Sequence, residues 1–129
     1  KAIEVDPKDS KAYNNRANFY SDQKKYDLAI ADYSKAIQIN SNLASVYYSR
    51  GNLYSRQKKL DLALADFNKA IAINPNLAQA YINIGAIYFQ KKDKQKTIKN
   101  FQQAAKLFKA QGKTKNYKIV IDLLQELQE

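Results

Sequence analysis

Little catalytic vocabulary beyond lysine, arginine, carboxylates and hydroxyls is left to this chain, because histidine, cysteine, methionine and tryptophan are all absent. Without imidazole or thiol there is no thiolate or histidine metal site, no cysteine nucleophile, no Ser-His-Asp triad and no disulfide framework. Two arrangements of charge stand out. Arg16 precedes Asp32 by sixteen residues and Arg50 precedes Asp66 by the same interval, and at the third equivalent place Ile84 and Asn100 replace both partners together. The joint switch predicts ion pairs between the two helices of one hairpin, with a shifted register, Asp32 to Arg50, as the rival; an arginine anion site is the functional alternative. The second arrangement is the cluster Lys91, Lys92, Lys94, Lys96 and Lys99, continued by Lys106, Lys109, Lys113, Lys115 and Lys118. Clustered lysine suits nucleic acid through phosphate neutralisation, or an acidic protein, or plain solubility. The lack of interleaved arginine and exposed aromatics weighs against base recognition.

Catalysis finds little support. Glu4, Glu126 and Glu129 lie near the ends and Asp22, Asp27, Asp61 and Asp93 at or near turns, with no spacing that enforces a carboxylate pair. Three glycines, Gly51, Gly85 and Gly112, are too few and too scattered for a phosphate-cradling loop. No cofactor or metal is implied, and no apolar run reaches the roughly 18 residues of a membrane span.

The elements that carry these residues follow from a repeat. Tyr13, Tyr47 and Tyr81 are 34 residues apart, as are Tyr20, Tyr54 and Tyr88, then Tyr33, Phe67 and Phe101, then Ala36, Ala70 and Ala104. Within one copy Tyr13, Ala17 and Tyr20 fall at i, i+4, i+7 on one helical stripe, and Ala29, Tyr33 and Ala36 make a second. Each copy is therefore a helical hairpin, with Gln23-Lys24-Lys25 or Gln57-Lys58-Lys59 inside it and Asn40-Ser41-Asn42 or Asn74-Pro75-Asn76 between copies. Asn42 and Asn76 are the expected helix caps. Counting Lys plus Arg against Asp plus Glu, the copies carry 5 against 3, 5 against 2 and 7 against 1, so most of the +10 excess sits late in the 129-residue chain.

This pattern resembles the tetratricopeptide repeat: an aromatic, Gly or Ala four residues on, then Tyr, then Ala-x3-aromatic-x2-Ala, closing with Asn-Pro. Arg16 and Arg50 depart from the usual Leu, Thr97 from Ala, Ser41 from Pro, and Lys24, Lys58 and Lys92 from the Gly of the hairpin turn. Left-handed geometry at those lysines costs on the order of 1 kcal/mol each. The expected architecture is all-α: a right-handed α-solenoid of three helix-turn-helix repeats plus a C-terminal capping helix, forming one domain over 1–129. Residues 1–9 match the end of a preceding second helix, 10–43, 44–77 and 78–111 are the repeats, and 112–129 is the cap, with Tyr117, Val120, Ile121 and Leu124 on its stripe. The register of residues 1–9 predicts a piece of a longer array.

The resemblance implies a non-catalytic protein-interaction scaffold whose first helices line a concave groove for a peptide or partner helix. By register the groove residues are Asn14, Asn18 and Ser21, then Tyr48, Asn52 and Ser55, then Ile82, Ala86 and Phe89, with Asn15 and Asn83 at the margin. Asn18 and Asn52 would both donate to and accept from a ligand backbone, while Tyr48, Ile82 and Phe89 would supply an apolar pocket. One branch of the family clamps acidic chaperone tails with Lys, Asn and Arg; here Asn14, Gln79 and Asn83 stand where its cations belong, which disfavours that ligand. The alternatives are a basic surface docking RNA, DNA or an acidic partner, and self-association through the exposed first face. The cytoplasm is the default compartment.

Overall fold

A computed structural model describes residues 8–128 and contains no strand among them. Seven helices follow one another there: α1 Ser10–Asp22, α2 Tyr26–Ile39, α3 Ala44–Arg56, α4 Leu60–Ile73, α5 Ala78–Gln90, α6 Lys94–Ala110 and α7 Thr114–Gln128. The chain divides into two compact units, Lys1–Ile73 with the α1–α2 and α3–α4 hairpins, and Asn74–Glu129 with the α5–α6 hairpin and α7. Of the expected preceding-helix segment, residues 1–7 lie outside the described ones.

The helix ends differ from the sequence expectation. Leu43 and Leu77, not Asn42 and Asn76, occupy the positions before α3 and α5, and neither offers a side-chain cap. The asparagines act one step earlier: Asn40 accepts from the Asn42 N–H at 3.0 Å and Asn74 from the Asn76 N–H at 3.1 Å. A short side chain that closes a local turn on its own backbone is no longer the residue facing the helix N-terminus. True side-chain caps occur at Asp9, which accepts from the Ala12 N–H, and at Asp93, which accepts from the Lys96 N–H.

Inside the hairpins Lys24, Lys58 and Lys92 adopt φ of 62°, 63° and 64°. This left-handed residue lets the chain reverse while the next N–H returns to the helix: Lys25 donates to the Tyr20 carbonyl and Lys59 to that of Tyr54, each at 2.9 Å.

In the first unit Ala17, Ala29, Tyr33, Ala36, Val46 and Leu53 form the buried core. Small residues at the crossings set the helix separation. A Cβ on Gly51 would lie 3.0 Å from the Phe67 ring and one on Gly85 would lie 2.6 Å from the Phe101 ring, so both glycines exist to admit an aromatic from the partner helix. In the second unit Phe101, Ala104, Phe108, Val120 and Leu124 are buried together, which places α7 against the α5–α6 hairpin.

Ion pairs form within each of the first two hairpins. Arg16 Nε and Nη2 donate to the two Asp32 carboxylate oxygens at 2.6 and 2.7 Å, and Arg50 repeats this on Asp66 at 2.8 Å for both bonds. Both carboxylates are buried, so the two-pronged geometry compensates their desolvation. Asp32 is not shared with Arg50; the remaining Arg50 nitrogen reaches the Ser34 hydroxyl at 3.0 Å instead. Each guanidinium also lies over two tyrosines, Arg16 at 5.6 Å from Tyr13 and 5.8 Å from Tyr20, and Arg50 likewise over Tyr47 and Tyr54. The carboxylate holds each guanidinium protonated above its ordinary pKa, against the opposing effect of burial. In the third hairpin Ile84 is buried, and Asn100 turns back to the Lys96 carbonyl at 2.9 Å.

Candidate functional site

The groove positions expected on the third hairpin open into a cleft between α5 and α7. Phe89 and Leu127 line both of its lobes, of about 570 and 480 Å³, with Ala86, Phe101 and Leu123 in one and Lys92 and Lys94 at the mouth of the other. Phe89 is 60 % exposed although it projects from a core-forming helix. The reason lies in the register. Phe89 occupies the place of Ser21 and Ser55, on the side of the first helix turned away from its hairpin partner, so its ring is left beside the cleft rather than in the core. Ile82 lines a smaller hollow of about 170 Å³ with Ile119 and Leu123 of α7. An apolar concavity with few polar groups at its edge is the usual form of a recognition site.

Sequence reasoning missed the α7 wall of this cleft. Only the stripe Tyr117, Val120, Ile121 and Leu124 had been assigned to α7, yet Ile119, Leu123 and Leu127 repeat at i, i+4, i+8 and form a second stripe. Ile119 is 60 % exposed, and Leu123 remains exposed beside the cleft. That second stripe was the available signal for the α7 wall of the cleft.

In the first unit the groove positions are polar and partly engaged. Tyr33 donates its hydroxyl to the side-chain oxygen of Asn18, which fills one of that oxygen's two acceptor sites. The Tyr48 ring packs on Phe67 with centroids 5.6 Å apart and is half-buried. Asn14, Ser21, Asn52 and Ser55 are likewise half-buried on α1 and α3, and Asn15 is exposed. On α5, Asn83 accepts from Gln79 at 3.3 Å, so two of the positions where the clamp would need cations are amides bonded to each other.

The lysine cluster is exposed but not uniform. Lys96 is held over the Tyr88 ring at 5.1 Å and 4.0 Å from Asp93, whereas Lys92 and Lys94 border the α5–α7 cleft. Lys91 and Lys99 are exposed. Among the described residues no three carboxylates gather as a metal site would require, and no helix is long and apolar enough to cross a membrane.

Comparison with known proteins gives the architecture a family. A family model described as Tetratricopeptide repeat matches residues 10–43 and 44–77, and a second of the same description matches 78–111. A search of curated proteins finds no match. Among solved structures, that of MamA is 27 % identical with a TM-score of 0.81 over 84 % of this chain, which spans 63 % of the MamA chain. The first TPR of Spaghetti (RPAP3), solved bound to the HSP90 peptide SRMEEVD, is 26 % identical with a TM-score of 0.80 over 98 % of this chain and 96 % of its own. The N-terminal domain of stress-induced protein-1 from C. elegans shares the fold at a TM-score of 0.82 and 18 % identity, over 98 % of this chain and 100 % of its own.

Proposed function

Because the chain belongs to the tetratricopeptide repeat family, we propose that it is a non-catalytic protein-interaction module that grips a peptide or partner helix, chiefly in the α5–α7 cleft. The single observation behind this reading is Phe89, an aromatic ring 60 % exposed at a position where the other hairpins carry serine. An exposed ring beside Leu123 and Leu127 offers the apolar anchor site in which binding energy concentrates. The likeness to Spaghetti (RPAP3), solved with a peptide bound, supports a peptide as the ligand class. The amides at Asn14, Gln79 and Asn83 argue against a chaperone tail as that peptide.

The test is selection of displayed random peptides on the immobilised protein, with Phe89→Ala as the comparison. Recovered peptides should carry clustered Leu, Ile, Met or aromatic residues. Phe89→Ala should weaken them about tenfold or more, as loss of an apolar anchor does. No enrichment, or enriched peptides indifferent to Phe89→Ala, would overturn the proposal.

A further inference from the structure

On its other side α7 forms a second concavity with α6, and its chemistry is different. Gln102, Lys106 and Lys109 of α6 face Tyr117, Gln125 and Gln128 of α7 across a hollow of about 540 Å³, floored by Ala105, Ile121 and Leu124. Among the described residues no carboxylate lines it. The acidic Glu126 of α7 lies instead in the α5–α7 cleft, beside Lys92 and Lys94.

Lys106 and Lys109 stand one helical turn apart, neither makes an ion pair, and like charges at that spacing repel. Lys109 is not loose: its ammonium sits 5.8 Å from the centre of the Tyr117 ring, which fixes a cation at the rim of the hollow. Lys99 lies two turns before Lys106 and extends the same stripe of α6. Over Asn74–Glu129 the sequence holds ten lysines and no arginine against four carboxylates.

We infer that the α6–α7 hollow docks an acidic segment of a partner protein, with carboxylates set against Lys106 and Lys109 and an aliphatic side chain on the Ile121–Leu124 floor. Three amides, from Gln102, Gln125 and Gln128, can serve the backbone of such a segment. The features that nucleic acid would need are missing. No arginine fork is present, and the one aromatic, Tyr117, already carries Lys109. The inference is independent of the α5–α7 cleft.

The test uses two labelled probes of equal charge, a peptide alternating Glu with Leu and a poly(U) oligonucleotide, titrated by fluorescence anisotropy. Gln125→Glu with Gln128→Glu places repulsive charge in the hollow at exposed sites that leave the core intact, and Lys24→Gln with Lys25→Gln alters net charge by the same amount elsewhere. The peptide should bind more tightly than poly(U). The glutamate pair should weaken it by about tenfold and the distant pair by only about twofold. The proposal is overturned if the peptide does not bind, if the two double variants weaken it equally, or if poly(U) binds more tightly.

Discussion

Replacing the turn lysines with glycine should stabilise the protein. At φ of 62°, 63° and 64°, Lys24, Lys58 and Lys92 hold a Cβ where an L-residue loses about 1–2 kcal/mol. Glycine removes that cost but enlarges the entropy of the unfolded chain by about 0.5–1 kcal/mol. The difference leaves a gain of about 0.5–1 kcal/mol per site. All three side chains are exposed, and the turn is held by backbone bonds that glycine keeps, so no packing is lost. Each site lies in the turn of a different hairpin, so the triple variant should gain about 1.5–3 kcal/mol by additivity. In a chain of this size that corresponds to about 5–10 °C in Tm. Urea unfolding followed by helical circular dichroism measures it, with the m-value unchanged if the native and unfolded ensembles are comparable. Lys→Ala at the same three sites is the control, since alanine removes the charge but keeps the Cβ. If Lys→Gly gains nothing over Lys→Ala, the stored backbone strain is not there.

The Asp66–Arg50 pair should be worth more to stability than its counterpart surface charges: Asp66→Ala strands a guanidinium whose side chain is only 18 % exposed. A loss of about 2–4 kcal/mol is expected in urea unfolding, and a loss below about 1 kcal/mol would mean the pair contributes no more than an exposed one. Tyr33 gives a pH dependence. Burial, aided by the Asp22 charge, raises its pKa above the ordinary 10.0, with the Ser49 hydroxyl acting the other way. The unfolded state therefore releases the Tyr33 proton first, so this contribution is intact below pH 10 and is lost as pH rises beyond it. Tyr33→Phe should flatten the fall in stability above that pH; an unchanged slope would show that other groups cause it.

The sequence by itself determined the hairpins and their number, because helical periodicity and a 34-residue recurrence are properties of chain neighbours. Tyr13, Ala17 and Tyr20 mark a stripe before any partner is known. The sequence also announced that Arg16 belonged with an aspartate, since both members of the pair change together at Ile84 and Asn100. The within-hairpin pairing was the expectation and Asp32 with Arg50 its rival; the tertiary structure decided for the former, because the choice depends on how two helices rotate as they cross. The same holds for the asparagines. Their turn-forming chemistry was legible, but Asn40 and Asn74 close the turn and leave Leu43 and Leu77 to begin the helices. Tyr48 reads from the sequence as part of an apolar pocket, and only the fold shows its ring set against Phe67 of the neighbouring helix. α7 gives the clearest division between the two sources. Its amphipathic stripe was visible in the residue order, whereas the apolar cleft on one side and the lysine-rimmed hollow on the other exist only because α5 and α6 pack against it, joining residues that no local spacing connects.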